Sequence, residues 1–187
     1  MRQNYRGNKK RIEETKRKRK EEKRNKRLGK KDEGAALPPA LETRLSQKDL
    51  PRLLGRGLPL LTVDDRGRPH PMFLSYLEVL GTSATTVRVA IGAGSNTRRN
   101  LEARGAATLL IAEPDVTMYV KCRAAGAPLI AGELARFDLV VEDVLEDAAA
   151  EGEEGARITG GVTYAPVQAL DSDWARATLA ALRLERS

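Results

Sequence analysis

The chain has 187 residues and a formal net charge of +7, a length that suits one domain with a hydrophobic core and an appended segment. The charge is unevenly divided, because residues 1–33 hold 16 Lys and Arg against 6 Asp and Glu, whereas residues 34–187 hold 17 against 20. The single cysteine, Cys122, excludes an intrachain disulfide and a cysteine-held metal, and the lack of a secretory signal or of an apolar run of about 18 residues predicts a cytoplasmic protein without a membrane span.

Residues 1–33 form a basic tail with too few apolar residues to fold alone, so we expect it to be disordered or a lone helix. Pairs such as Glu13 and Arg17, four residues apart, favour the helix. The density of cations suits contact with RNA or another polyanion, driven by counterion release. A solvated tail that only aids solubility is the alternative. The candidate polyanion contacts are Lys9, Lys10, Arg11, Lys16, Arg17, Lys18, Arg19 and Lys20.

Residues 34–42 contain a Pro38–Pro39 pair and are predicted to be an extended linker. The folded domain is predicted over residues 43–187. Its first element reads as a helix from Thr43 to Leu54, with Thr43 or Ser46 as the cap and leucines on one face.

A hairpin follows, with strands predicted at Leu58–Val63 and Met72–Leu80 around a turn at Asp64–Pro69. The second strand is apolar on both faces, which predicts that a helix or a second subunit covers its outer face. His70 follows the turn and reads either as a proton donor or haem ligand, or as a surface or capping group.

Four more strands are predicted at residues 86–91, 107–112 and 116–123 and within residues 132–144. In the third of these, Cys122 alternates inward with apolar residues and is predicted to be a small core residue. The opposite face carries Tyr119, Lys121 and Arg123, which either line a ligand cleft or face solvent. Six strands with little helix between them predict a mainly β fold, a six-stranded antiparallel barrel with short peripheral helices.

The last third of the chain contains an acidic stretch at residues 146–154, which reads as a short surface helix, and a brief extended piece at residues 162–164. An amphipathic helix is predicted from Ser172 to Leu184, capped by Ser172 or Asp173. Its docking side chains are predicted to be Trp174, Leu179 and Leu182.

The stretch from Gly92 to Gly105 allows two interpretations. Its glycines, helix start and basic pair would suit a phosphate group. Alternatively, Ser95 caps the helix, Asn100 makes a structural hydrogen bond, Leu101 joins the core and Gly105 ends the helix. A dinucleotide fingerprint is disfavoured, because position 97 is threonine and the surroundings form a β meander.

Three motifs occur in order along the chain: LPLLTVDDRGRPHP from Leu58, SNTRRNL from Ser95 and ATLLI from Ala107. Together they resemble the pyridoxamine 5'-phosphate oxidase-like family, the flavin-binding split β-barrels. In that family a strand ends in a D-x-x-G-x-P-type hairpin, and a basic helix start containing Asn-Leu precedes an apolar strand. The resemblance covers about Leu58 to Val144.

The resemblance implies a homodimer of six-stranded split barrels with FMN at the subunit interface, acting as a flavin-dependent oxidoreductase on a small molecule. A true pyridoxamine 5'-phosphate oxidase is not expected, because the fuller set of basic and aromatic substrate contacts is not found. Deazaflavin, haem or no cofactor remain alternatives, and no catalytic residue is assigned. The implied cofactor contacts are Ser95, Thr97, Arg98 and Arg99 for the phosphate, and Phe73 and Ser75 beside the isoalloxazine ring.

A second hypothesis makes the protein a non-enzymatic dimeric binding protein. Its barrel would be a dimerisation platform, and its tail would contact RNA or another polyanion. Both hypotheses could hold for one molecule, because a dimer presents two tails and gains avidity.

Overall fold

The computed structural model describes residues 35–147, 158–167 and 169–185. A compact unit begins at Ala35. The tail of residues 1–33 and most of the acidic stretch at residues 146–154 lie outside the described residues, so the predictions made for them stay predictions.

The single helix predicted at Thr43–Leu54 is instead two short helices, α1 at Pro39–Leu45 and α2 at Leu50–Leu53. Between them Gln47 adopts a left-handed φ of 61°, and the proline in the first turn of α2 has no N–H to continue a preceding helix. α1 also starts inside residues 34–42, so the predicted extended linker is shorter. Proline suits the first turn of a helix, and Leu41 is buried on its inner face.

The described residues form one antiparallel sheet in which the main path runs β2-β1-β5-β6-β8-β4-β3. Two short strands lie beside this path: β7 pairs with β8, and β9 pairs with β1. The mainly β, antiparallel split-barrel prediction is confirmed. The strands are β1 Arg56–Val63, β2 Pro69–Ser75, β3 Val79–Ser83, β4 Thr86–Gly92, β5 Ala106–Glu113, β6 Val116–Ala124, β7 Leu129–Ala131, β8 Leu134–Glu146 and β9 Val162–Thr163.

The two ends of the sheet path, β2 and β3, are consecutive in the chain and are joined by a 3₁₀ turn at Tyr76–Glu78. The continuous strand predicted at Met72–Leu80 is therefore wrong. The chain turns there because the Glu78 carboxylate accepts hydrogen bonds from the Ser75 backbone N–H (2.6 Å) and hydroxyl (2.9 Å). This corner brings the two edges of the curled sheet together.

Strand alternation places the barrel core as predicted. Val87, Val89 and Phe137 are fully buried, and Cys122, at 2 % exposure, is confirmed as a core residue. The outer face of β2 is different. Phe73 remains 51 % exposed, so the described residues leave about half of this residue open to solvent.

Two further helices are α3 at Asn96–Arg104 and α4 at Asp173–Arg183. α4 has the predicted cap, because the Ser172 hydroxyl accepts the Ala175 N–H at 3.2 Å. Leu182 is buried as predicted, but Trp174 stays 36 % exposed at the rim and does not dock the helix. Leu179 packs partly buried against the core as predicted, and small side chains allow the helix a close approach to the sheet: Ala175, Thr178 and Ala181. No helix in the part of the chain that the structure describes has the length and apolarity needed to cross a bilayer.

Candidate functional site

The stretch that the sequence left open folds as helix α3, Asn96–Arg104. Ser95 caps it by accepting the Arg98 N–H at 3.1 Å, and Gly105 ends it with a left-handed φ of 68°. Leu101 is 1 % exposed and belongs to the core. The structural roles predicted for these three residues are confirmed.

Asn100 fixes α3 against the first hairpin. Its side-chain amide donates to the Thr62 hydroxyl oxygen at 3.0 Å, and that hydroxyl donates to the His70 carbonyl at 3.4 Å. Both side chains are buried, Thr62 at 2 % and Asn100 at 9 % exposure. This chain of bonds holds one face of α3 beside the β1–β2 turn.

A cleft of about 550 Å³ lies between that face of α3 and the β1–β2 turn. We call it the arginine cleft. It is lined by Val63, Asp64, Asp65, Arg66, Arg68, His70, Asn96, Arg99, Asn100, Ala103 and Arg104.

The charge of the arginine cleft is positive, because four arginines face two aspartates. The Asp64 carboxylate is engaged in the turn, where one oxygen accepts the backbone N–H groups of Arg66 (3.0 Å) and Arg68 (2.7 Å). Arg104 donates to the Asp65 carbonyl at 2.9 Å. The arginine side chains are exposed, so their guanidinium groups are accessible to an anion from solvent.

The structure separates the four residues that the resemblance assigned to a phosphate. Arg99 lines the cleft, where it is hydrogen-bonded to the Asn96 side chain. Arg98 turns away and donates to the Glu102 carboxylate at 3.0 Å and to the Ala93 carbonyl at 2.8 Å. Ser95 serves as the helix cap, and Thr97 is only 2 % exposed.

The two residues assigned to the ring side lie further along β2. Phe73 is on the outer face, and Ser75 lies at the corner, where it lines a second pocket of about 340 Å³. His70, in the arginine cleft, and Ser75 are five positions apart on one strand, which corresponds to about 17 Å. Of the predicted contacts, Arg99 therefore lies in the cleft near the start of β2, whereas Ser75 lies at the end of that strand.

A buried polar cluster lies beneath the corner. Glu113 is 4 % exposed and pairs with Arg56 at 2.6 Å, while the Tyr76 hydroxyl donates to its other oxygen at 3.4 Å. Burial, with the charge of Glu113, raises the pKa of Tyr76 to about 12. Tyr76 therefore stays protonated at neutral pH and acts as a donor that ties the corner to β5.

The polar face of β6 is solvated rather than part of a cleft. Lys121 and Arg123 are exposed and pair across to β8, with Asp143 at 3.3 Å and Glu142 at 2.6 Å. The Tyr119 hydroxyl donates to the Asp147 carboxylate at 2.7 Å. Within the described residues, no group of three or more His, Cys, Asp and Glu is arranged to hold a metal ion.

Sequence reasoning missed Arg66, Arg68 and Arg104 as site residues. The first two were interpreted only as turn chemistry, and Arg104 only as the end of a helix. For Arg104 the available signal was the helical spacing of the α3 residues that line the cleft: Asn96, Arg99, Asn100, Ala103 and Arg104.

The strand order defines an antiparallel split barrel, and the arginine cleft gives it a cationic surface site. No family model matches the chain, and no curated protein matches it. Solved structures do match. A putative pyridoxamine 5'-phosphate oxidase from Lactobacillus delbrueckii is 12% identical over 61% of this chain and 97% of its own, with a TM-score of 0.47.

The styrene monooxygenase flavin reductase from Pseudomonas putida is 11% identical over 50% of this chain and 81% of its own, with a TM-score of 0.43. An F420 reductase is 15% identical over 50% of this chain and 94% of its own, with a TM-score of 0.40. These structures include the family that the sequence motifs resemble. Because the TM-scores lie below 0.5, we assign the fold from the strand order itself.

Proposed function

We propose that the protein binds FMN and is a flavin-dependent oxidoreductase that acts on a small molecule. The observation that carries this proposal is the arginine cleft beside α3. The forked side chain of arginine suits phosphate oxygens. The positive charge of the four arginines around the open cleft exceeds the negative charge of its two aspartates.

The residues of the cleft fit a terminal phosphate group better than the helix start does. Arg99 and Arg104, five positions apart on α3, line the cleft from the helix, and Arg66 and Arg68 line it from the turn. Asn96 adds an amide at the edge. We therefore assign phosphate binding to Arg99, Arg104, Arg66 and Arg68. Ser95 and Arg98 have a supporting role, because they shape the start of α3.

The outer face of β2 is the proposed path for the rest of the cofactor. It carries the half-exposed ring of Phe73, three positions along the strand from His70 of the arginine cleft. An aromatic side chain there offers a stacking surface for the isoalloxazine ring. A bound flavin would supply the electron and hydride transfer chemistry, while this chain would bind it, orient it and exclude water.

A second copy of the chain is the proposed cover for this face. β2 is an edge strand of the sheet path, and its exposed side carries Pro69, Pro71 and Phe73. Prolines at an edge limit further strand pairing, so we propose that the homodimer forms by side-chain packing.

A reducing, cytoplasmic compartment would suit a protein whose only cysteine is a buried free thiol.

The test compares FMN with riboflavin, which lacks the phosphate, by the quenching of flavin fluorescence on titration with the purified protein. We expect FMN to bind at least about tenfold more tightly, and the double variant Arg99→Ala/Arg104→Ala to lose that preference. Arg52→Ala is the matched control, because Arg52 is exposed on α2 and lies outside the cleft.

Two results would contradict the proposal. One is a protein that leaves the fluorescence of both flavins unchanged, and the other is equal affinity for FMN and riboflavin. The oligomeric state is measured in parallel by sedimentation with and without FMN. A monomer under both conditions would contradict the proposed homodimer. The proposal of FMN binding would still be judged by the titration alone.

A further inference from the structure

A second pocket, which shares no lining residue with the arginine cleft, lies at the barrel corner. We call it the aromatic pocket. Its volume of about 340 Å³ is suited to a small organic molecule. It is lined by Leu54, Gly55, Ser75, Tyr76, Leu77, Glu78, Tyr164, Ala165, Pro166 and Trp174.

Glu78 is the only charged side chain among these lining residues. One of its carboxylate oxygens, Oε2, accepts both hydrogen bonds from Ser75, at 2.6 and 2.9 Å. These bonds hold the carboxylate in a fixed position at the corner. Burial raises the pKa of Glu78, while the Ser75 hydrogen bonds act in the opposite direction. The charge is thus held in a partly desolvated place, where its attraction to a cationic partner is stronger than it would be in bulk water.

Two aromatic rings line the same pocket. Tyr164 and Trp174 are 39 % and 36 % exposed, so their rings remain accessible. Glu78 and Tyr164 line the same pocket, and burial, with the nearby charge of Glu78, raises the pKa of Tyr164. A carboxylate beside aromatic rings is a combination that recognises organic cations, through an ion pair and cation–π attraction.

The wall that carries Tyr164 is anchored to the barrel. We call residues 158–167 the strap. Its strand β9 pairs with β1 through Thr163 with Arg56, and the Tyr164 N–H donates to the Gly55 carbonyl at 2.6 Å. A side chain at Gly57 would come within 3.1 Å of the Tyr164 ring. The pocket is therefore formed before any ligand arrives.

We propose that the aromatic pocket binds a small organic cation, an amine whose ammonium group lies between the Glu78 carboxylate and the rings of Tyr164 and Trp174. This inference does not depend on flavin binding, because the proposed contacts to the cation are Glu78, Tyr164 and Trp174, none of which is assigned to the flavin. It names a ligand class for a site at the far end of β2 from the arginine cleft.

The protein carries its own reporter, because Trp174 is the only tryptophan in the chain. The full-length protein without flavin is titrated with 2-phenylethylamine and, separately, with 2-phenylethanol, and tryptophan fluorescence is recorded. We expect the amine to change the emission saturably and to bind at least about tenfold more tightly than the uncharged alcohol.

The variant Glu78→Gln retains an oxygen that can accept the Ser75 hydrogen bonds and removes only the charge. We expect it to lose the preference for the amine, whereas the control Glu102→Gln, altered on α3 outside the pocket, keeps it. Tyr164→Leu is expected to weaken amine binding without changing the alcohol as much. Circular dichroism establishes that each variant is folded.

If Glu78→Gln fails to fold, the pH dependence of binding to the unaltered protein tests the same proposal. Amine affinity should fall as acidification protonates Glu78, starting above its ordinary value of 4.5 because the pKa is raised, while alcohol affinity stays constant. Equal binding of amine and alcohol, an amine affinity independent of pH, or no change with either probe would each overturn the proposal.

Discussion

Two weak acids in the barrel, Cys122 and Tyr76, are kept protonated by their surroundings. Burial is the first cause for both, and nearby carboxylates, Glu142 and Glu113, add to it. The pKa of each is raised to about 12, from ordinary values of 9.0 and 10.0. The thiol and the phenol therefore serve the core as neutral groups, and Cys122 is not poised as a nucleophile.

The first prediction concerns alkaline stability. Because the folded pKa values exceed the unfolded ones, the stabilising effect is complete below about pH 9 and is lost as the pH rises towards 12. Each group lowers the free energy of unfolding by up to about 1.4 kcal/mol per pH unit in that window. Urea unfolding at pH 8, 9 and 10 should show a shallower fall for Cys122→Ala than for the unaltered chain. An identical dependence of the unfolding free energy on pH in the two proteins would contradict this prediction.

Among the elements, α4 is held at its C-terminal end by two arginines of the sheet. Arg88 pairs with Asp138 at 2.8 Å, donates to the Leu182 carbonyl at 3.1 Å and contacts the Glu185 carboxylate. Arg136, which is fully buried, donates to the Leu184 carbonyl and to Asp138. Cations at this end complement the helix dipole and satisfy terminal carbonyls.

The second prediction follows from this clamp. Arg88→Ala should lower the free energy of unfolding by about 1.5–3 kcal/mol, because it removes charged hydrogen bonds and leaves Asp138 with one cation fewer. Arg183→Ala is the matched control, since Arg183 is exposed at the same helix end, and should change it by less than about 0.5 kcal/mol. Chemical denaturation measures both, and equal effects of the two variants would refute the clamp.

The strap is an element whose position depends on neighbouring glycines. A side chain at Gly161 would lie 2.6 Å from the Ala112 carbonyl oxygen, whereas one at Gly160 would meet nothing within 4 Å. The strap can therefore lie against β5 only while position 161 lacks a side chain.

The third prediction uses this adjacent pair. Gly161→Ala should displace the strap, lower the unfolding free energy by about 1–3 kcal/mol and weaken amine binding in the aromatic pocket. Gly160→Ala should leave both unchanged. Thermal unfolding and the Trp174 titration supply the two readouts. A Gly161→Ala protein with unaltered stability and amine affinity would show that the strap is not held there.

At the scale of the whole molecule, charge is divided between tail and domain. The first 33 residues carry net +10 and the remaining residues net −3. Because the compact unit begins at Ala35, the tail can be removed as a separate test of polyanion binding.

The fourth prediction is that the full-length chain binds RNA with a steep salt dependence and that deleting residues 1–33 abolishes this binding, because counterion release from phosphates requires those cations. FMN and amine titrations should be unaffected by the deletion. Binding of a labelled single-stranded RNA is measured over a range of salt concentrations. If the shortened chain still binds RNA, the binding site lies outside the tail. If RNA affinity does not change with salt concentration, binding by counterion release is refuted.

Local sequence was sufficient for much of the fold. The helix caps Ser95, Gly105 and Ser172 and the inward alternation around Cys122 were predicted, because capping bonds span only a few residues and strand side chains alternate with period two. The strand break at Tyr76–Glu78 was not predicted, because the apolar residues on either side of it resemble one continuous strand. Capping hydrogen bonds between Ser75 and Glu78 turn the chain there.

The clefts were decided only by the tertiary structure. Arg104 joins Arg66 and Arg68 because Asn100 bonds to Thr62, 38 positions away. The aromatic pocket likewise unites the corner at Glu78 with the strap and the first turn of α4. Periodicity and capping rules describe neighbours along the chain, whereas a cleft depends on contacts between distant segments, whose long-range packing no local pattern specifies.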